Sequence, residues 1–267
     1  MSNATRSWTL GLAGLAGMLT ALTAGGAEGI WVPTTGGGQT WPVAANWTGM
    51  TAYPMAVGDT AVLTNNLVAP QTINLGGTIT IGAIRFGDGA APYYPFTIGP
   101  TAALTLDVAA GPVLIVKSGE GADTIATQTI TLNDNLIVSN LQNSVNQPLV
   151  LSGAIGGSGK SLTVDGAGAN STVAFSYPNG YTGGLILNAG RVRATRSTTA
   201  LGSGTLTLNG GTVELADNNS LGFGRNTTVN ADSAFVTDRL TDGPWLRHTM
   251  GTISIGNQTL SVSAGSH

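Results

Sequence analysis

Short alternations of apolar and polar residues fill the chain from about residue 72 onward. Segments such as TITIGAIRF (78–86), PVLIV (112–116) and SLTVDG (161–166) are rich in Thr, Val, Ile and Leu, and residues such as Gly, Asn, Asp and Ser separate them. Such alternation predicts half-buried β-strands joined by tight turns. No segment after residue 27 keeps a helical period, so the pattern predicts an all-β fold: a sandwich, a barrel or a solenoid.

A repeat of constant spacing distinguishes these architectures. LILNAGRV (185–192) aligns with LTLNGGTV (206–213), and the alignment places Asn188 on Asn209. The same offset, carried forward once more, brings Asn230 into register. A period of about 20 residues suits one coil of a solenoid, in which each strand pairs with the strand one turn away. The sequence therefore predicts a right-handed parallel β-helix, a β-solenoid.

The repeated asparagines and their apolar neighbours have different expected positions. Asn188, Asn209 and Asn230 are expected to stack at one corner, where each side-chain amide bonds to the copies above and below. Leu187 and Leu208, which precede two of them, are expected to point inward and form a dry core. The coils before residue 185 keep the pattern less strictly.

Residues 1–27 have the three-part form of a secretory signal peptide. One cation, Arg6, precedes an uncharged apolar run, and small residues follow, with Gly25 and Ala27 at plausible cleavage positions. We expect the mature chain to begin at Glu28, without a membrane span once the signal is removed. A membrane anchor is the alternative, because the run approaches the length that spans a bilayer.

Residues 28–70 differ in composition from the repeats that follow. They contain Trp31, Trp41 and Trp47 among several prolines. We interpret this segment as an N-terminal cap that covers the open first coil of a β-helix domain at 71–267, a domain that is a candidate for truncation at its C-terminus. The functional alternative is an aromatic platform for sugars.

Charge and cysteine content exclude several classes of function. The formal net charge is −3, so the chain offers no broad basic surface for nucleic acid or anionic lipid. Cysteine is absent, which excludes disulfides, thiolate zinc sites and cysteine nucleophiles. We therefore expect stability to come from packing and backbone hydrogen bonds.

Three groups of motifs together resemble a known family. WPVAANWTGM (41–50), LSGAIGGSGKSLTVDGAG (151–168) and YTGGLILNAGRVRA (181–194) with the following LGSG and LNGGT are similar to the bacterial autotransporter-associated β-strand repeat proteins. The resemblance covers most of residues 31–215. It implies an extracellular or cell-surface right-handed β-helix with adhesive or structural roles.

A phosphate-binding motif is nearly present in AIGGSGKS (154–161). Ala154 stands where the first glycine of GxxxxGK[ST] belongs, and a strand pattern follows where a working loop needs a helix. We interpret the segment as a glycine-rich turn with Lys160 in solvent.

The densest polar cluster lies near the C-terminus. Polysaccharide lyases on β-helices use acids and a basic residue, and this cluster has that composition. Its spacing does not place the acids on one strand face, so a charged loop is the favoured interpretation. The members are Asp232, Asp238, Arg239, Asp242, Arg247 and His248.

These observations lead to one principal expectation and two alternatives. We expect a secreted or cell-surface, structural and adhesin-like β-solenoid with no catalytic, cofactor-binding or metal site. Surface glycans or neighbouring cell-surface proteins are its expected partners, and nucleic acid is not. The alternatives are a polysaccharide lyase or glycoside hydrolase that uses residues 232–248, and a carbohydrate-binding module that uses the tryptophans of residues 31–47.

Overall fold

The computed structural model describes residues 26–267, which are almost entirely β-strand and turn. The predicted signal peptide lies outside the described residues except for its last two positions. A single 3-10 turn, Ala44–Asn46, is the only helical element in the described range. No helix there is long and apolar enough to cross a membrane.

Residues 26–267 contain twenty-five short strands. In chain order they are β1 Glu28–Trp31, β2 Gly37–Thr40, β3 Trp47–Thr48, β4 Thr60–Leu63, β5 Gln71–Asn74, β6 Ile79–Ile81, β7 Ala83–Phe86, β8 Phe96–Ile98, β9 Ala103–Leu106, β10 Val113–Lys117, β11 Thr124–Ile125, β12 Thr129–Leu132, β13 Leu136–Asn140, β14 Leu149–Leu151, β15 Ala154–Gly156, β16 Leu162–Gly166, β17 Thr172–Phe175, β18 Leu185–Ala189, β19 Arg191–Thr195, β20 Leu206–Leu208, β21 Thr212–Ala216, β22 Thr227–Val229, β23 Ser233–Asp238, β24 Ile253–Ile255 and β25 Leu260–Ala264.

The strands stack into three sheets, and neighbours in each sheet come from successive coils. Sheet A has the order β24-β22-β20-β18-β16-β13-β10-β7-β4-β1-β3, and sheet B has the order β2-β5-β8-β11-β14-β17-β19-β21-β23-β25. Sheet C, β15-β12-β9-β6, is present only over residues 79–156. Apart from the antiparallel pair β1–β3, the paired strands described in these sheets run parallel. The predicted β-solenoid is therefore confirmed.

The register confirms the constant offset between equivalent positions in sheet A from β18 to β22. Leu187 pairs with Leu208, and Leu208 pairs with Val229. Earlier coils are longer, since Val113 pairs with Leu136 and Leu136 pairs with Leu162. The added residues form longer corners and the strands of sheet C, which explains why the sequence pattern is less strict there.

Alternate side chains of each strand point into the solenoid and form one apolar core. In β18, Leu185 and Leu187 are fully buried, whereas Ile186 between them is partly exposed. Because parallel pairing keeps like positions above one another, each inward row continues from coil to coil. Leu187 and Leu208 take the inward positions that the sequence predicted.

The predicted asparagine stack is present at an exposed corner. The Nδ2 of Asn209 donates to Oδ1 of Asn188 at 2.9 Å, and the Nδ2 of Asn230 donates to Oδ1 of Asn209 at 2.9 Å. Identical side chains thus bond along the axis, as the constant offset of the repeat requires.

The three tryptophans of residues 28–70 are buried. The ring centroids of Trp31 and Trp47 lie 4.9 Å apart and those of Trp41 and Trp47 4.7 Å apart, both edge to face. The proposed aromatic platform for sugars therefore has no exposed rings at these positions. Strands β1, β2 and β4 belong to the same sheets as later strands, so the description of this whole segment as a cap stays a prediction.

Candidate functional site: a groove on the outer face of sheet B

Asp238, a member of the predicted polar cluster, binds backbone groups. Its carboxylate accepts hydrogen bonds from the backbone N–H groups of Arg239 at 2.8 Å, His267 at 3.0 Å and Ser266 at 3.2 Å. Burial raises the pKa of Asp238, but the hydrogen bonds from His267, Arg239 and Ser266 outweigh burial and lower this pKa. The side chain thus fastens the segment after β25 to β23.

His248 is also occupied by the backbone. Its Nδ1 accepts from the N–H of Leu221 at 3.2 Å, and its Nε2 lies 3.2 Å from the carbonyl oxygen of Asp238. These partners suit the tautomer with a proton on Nε2. The ring edge packs on Phe223 at a centroid distance of 5.6 Å. His248 therefore fills a structural position and has no free nitrogen for a catalytic base.

The rest of the predicted cluster does not gather into a site. Asp232 accepts from the N–H of Thr259 at 2.7 Å. Arg239 donates to the carbonyl oxygens of Thr241 and Pro244 within its own loop. The remaining members, Asp242 and Arg247, are exposed. The members of this cluster thus bind backbone groups or lie exposed, and its interpretation as a charged loop stays a prediction.

A groove with a volume of about 1040 Å³ lies on the outer face of sheet B. It is lined by side chains from six neighbouring strands, β14, β17, β19, β21, β23 and β25, and from the loops beside them. It extends across these strands in the direction in which the coils stack. The residues that carry charge or a large ring are Tyr177, Arg191, Arg193, Arg196, Glu214, Asp238 and His267.

Two arginines share one carboxylate on the groove floor. Because side chains alternate along a strand, Arg191 and Arg193 of β19 point outward on either side of the buried Val192. The Nη1 of Arg191 donates to Oε2 of Glu214 at 2.9 Å. The Nε of Arg193 lies 2.7 Å from Oε1 of Glu214, although its N–H does not point at that oxygen. Two guanidinium groups and one carboxylate together carry a net positive charge.

The same arginines retain donors that the described chain does not use. The Nε atoms of Arg191 and Arg193 are buried without an acceptor in hydrogen-bond geometry among residues 26–267. An unsatisfied buried N–H is costly, so these two Nε atoms reduce the stability of this floor.

Arg196 stands at the groove in a rare backbone conformation. Its φ is +64°, the only positive φ of a non-glycine residue in the described part of the chain. A side chain in the left-handed region is sterically disfavoured, and such strain concentrates at functional positions. Arg196 is exposed, and Tyr177, 50% exposed, lies in the same lining.

Sequence reasoning did not find this groove. The available signal was the alternation R-V-R at 191–193, which places two cations on one face of a strand. Their carboxylate partner, Glu214, lies one coil away, so the group is formed only by the stacking of coils.

The near-match to a phosphate-binding loop is a turn between two strands. Strand β15 ends at Gly156, and β16 begins at Leu162 with no helix between them. Lys160 is partly exposed, and its Nζ lies 3.8 Å from Oδ1 of Asp134. The predicted glycine-rich turn is present, and no helix N-terminus faces it.

Comparison of the chain with protein-family models, with curated proteins and with solved structures gave no match. The structure supports the β-solenoid that the family resemblance implies, and the family itself is not shown.

Proposed function

We propose that this chain is a secreted or cell-surface β-solenoid with a structural, adhesin-like role, and that the groove of sheet B binds an extended glycan without cleaving it. The observation that supports this proposal is the groove across six strands, with three arginines, Arg191, Arg193 and Arg196, in its lining. A rigid stack of parallel strands holds these groups at constant spacing.

The charge of the groove favours glycans with carboxylate or sulfate groups. Arginine presents a planar array of donors that matches a carboxylate or sulfate. Arg193 and Arg196 are the most accessible of the three arginines, and Tyr177 offers an exposed ring edge and hydroxyl. A uronate or sulfated polysaccharide combines anionic groups with an elongated shape, as this groove requires.

The carboxylates of the groove are poorly placed for catalysis. Glu214 is 7% exposed and is held between Arg191 and Arg193. Asp238 is 6% exposed and accepts three backbone hydrogen bonds. Glycoside hydrolysis needs a proton donor and a second carboxylate that both reach the sugar, so these two acids support binding rather than cleavage.

The compartment and the family stay proposals. Residues 1–27 have the composition of a signal peptide, and residues 31–215 resemble the autotransporter-associated repeats. Both features favour a location outside the cell, where glycans and neighbouring surface proteins are the available partners.

A glycan array tests this proposal directly. The chain from Glu28 onward is applied to neutral, uronate-containing and sulfated glycans, and the same glycans are screened for cleavage products. We expect retention on anionic glycans, at least tenfold weaker binding by Arg193→Ala, and no product. Lys160→Ala, on a turn outside the groove, is the matched control and is expected to bind normally. Cleavage by the wild type, or binding that Arg193→Ala does not change, would contradict the proposal.

A further inference from the structure

A lysine and an aspartate are buried together at the corner between β10 and β11. The side chains of Lys117 and Asp123 are both 0% exposed, and the Nζ of Lys117 lies 2.8 Å from Oδ2 of Asp123. The Nζ also donates to the carbonyl oxygen of Gly119 at 2.8 Å. The glycine-containing turn 118–122 brings the two residues together. This pair does not line the groove of sheet B and has no part in the proposed binding.

The surroundings of this pair exclude water. Lys117 occupies an inward position of sheet A, and its neighbours in register, Phe86 and Asn140, are both fully buried. Asp88 is also fully buried, and its carboxylate accepts only backbone hydrogen bonds. Two opposite charges held in such a place carry a large desolvation cost, which a reaction that removes both charges relieves.

The pKa of the acid in this pair is raised above its ordinary value of 3.8. Burial raises the pKa of Asp123, and the negative charge of Asp88 raises it further, against the lowering effects of Lys117 and of the Phe96 backbone N–H. A neutral carboxylic acid beside a neutral primary amine is the combination from which an amide forms. In water this condensation is unfavourable, and exclusion of water removes the competing nucleophile.

We propose that Lys117 and Asp123 condense into an intramolecular isopeptide bond. The ammonium group first gives a proton to Oδ2. The Nζ lone pair then attacks Cγ, and a second proton moves from nitrogen to Oδ2. The Cγ–Oδ2 bond breaks, and Oδ2 leaves as water with both protons. An ammonium and a carboxylate thus become one amide and one water molecule, without an oxidant or a cofactor.

The structure already holds the groups that this step requires. The N–H of Phe96 donates to Oδ1 of Asp123 at 2.8 Å, so it polarises the carbonyl and faces the oxygen that becomes negative during attack. The carbonyl oxygen of Gly119 accepts a hydrogen bond from the Nζ of Lys117 and so fixes the position of the amine. The Nζ of Lys117 already contacts the carboxyl group that it would attack, so the fold holds the two reacting groups together.

The bond would act as a covalent staple in a chain without cysteine. It would close a short ring across the corner that joins sheet A to sheet B. Because the corner could then not open locally, β10 and β11 would stay together under heat, force or proteolysis.

Intact-protein mass spectrometry under denaturing conditions tests the bond. The wild-type chain, purified and then held folded at neutral pH, is expected to lose the mass of one water molecule. Trypsin is expected to stop cleaving after Lys117, and fragment spectra should show Lys117 joined to Asp123. Asp123→Asn is expected to lose ammonia instead and to reach the same final mass as the wild type.

Two controls make the outcome decisive. Lys117→Arg is expected to keep its full mass, because a guanidinium does not react in this way. Lys160 and Asp134, a partly exposed pair at 3.8 Å, are expected to stay separate in the same digest. A folded wild-type protein that keeps its full mass and is cleaved after Lys117 would overturn the proposal. A water lost at any other site would overturn it as well.

Discussion

Polar side chains in this molecule are used mainly to join one coil to the next. Asn179 is 3% exposed, and its Oδ1 accepts from the N–H of Ile155 at 2.9 Å while its Nδ2 donates to the carbonyl of Ala200 at 2.7 Å. One amide therefore satisfies a backbone group on each side of it. The exposed asparagine stack that includes Asn209 repeats this arrangement at the surface. The sequence showed the surface stack as a repeat and gave no sign of the role of Asn179.

Tyr181 differs from these asparagines and gives a prediction at the residue scale. Its ring is fully buried, its hydroxyl has no hydrogen-bond partner among residues 26–267, and burial raises its pKa. Tyr181→Phe removes a polar group that is desolvated without compensation. We expect the free energy of unfolding to rise by about 1 kcal/mol, measured by urea denaturation. The matched control, Tyr177→Phe on an exposed ring, is expected to have no effect, and a clear loss of stability in Tyr181→Phe would show that its hydroxyl is hydrogen-bonded.

At the scale of the element, the sequence predicts the coils best where successive coils have the same length. The segments 185–192 and 206–213 reveal their register because no residue is inserted between equivalent positions. Sheet C was not foreseen, because coils between residues 79 and 156 differ in length and their corners hide the period. The inward position of Lys117 was also missed, because its partner Asp123 lies around the corner from β10.

The final coil depends on one carboxylate, which makes its stability sensitive to pH. The pKa of Asp238 is lower in the folded chain than its ordinary value of 3.8. The charged carboxylate therefore stabilises the folded chain above pH 3.8, and this stabilisation is lost as the pH falls through the folded pKa. We expect Asp238→Asn to lower the free energy of unfolding by about 1–3 kcal/mol at neutral pH, because a charged acceptor of backbone N–H groups is lost.

The difference between wild type and Asp238→Asn should shrink in acid. Urea denaturation at neutral pH and at a pH well below 3.8 measures it. Asp232→Asn, which changes a carboxylate with one backbone partner, is the control and should show a smaller effect. A difference that stays constant with pH would show that the charge of Asp238 does not stabilise the last coil.

At the scale of the whole molecule, function depends on rows of residues that no single coil contains. Arg193 and Glu214 face each other only because β19 and β21 pair in register, and Tyr177 and Arg196 join them from loops of different coils. Sequence reasoning could predict the solenoid and a polar outer face. It could not predict the groove. Inward side chains reveal their register through the apolar period, but the outward side chains have no such period, so the sequence does not show which of them meet.

The groove therefore has a length set by the stacking of coils. Six neighbouring strands enclose five spacings of about 4.8 Å, or roughly 24 Å in all. One sugar residue lengthens a polysaccharide by a distance similar to one strand spacing, so about five sugar residues fit. Each sugar residue added within that length lies over another strand of the groove. Beyond it, added residues lie outside the groove.

The most direct test of the account is a calorimetric titration of the chain with uronate oligosaccharides of increasing length. We predict that affinity rises from the disaccharide up to about five residues and then levels off, that Arg193→Ala weakens every member, and that the oligosaccharides are recovered intact. Affinity that is independent of length, or shorter oligosaccharides in the recovered sample, would contradict a groove that binds an extended glycan without cleavage.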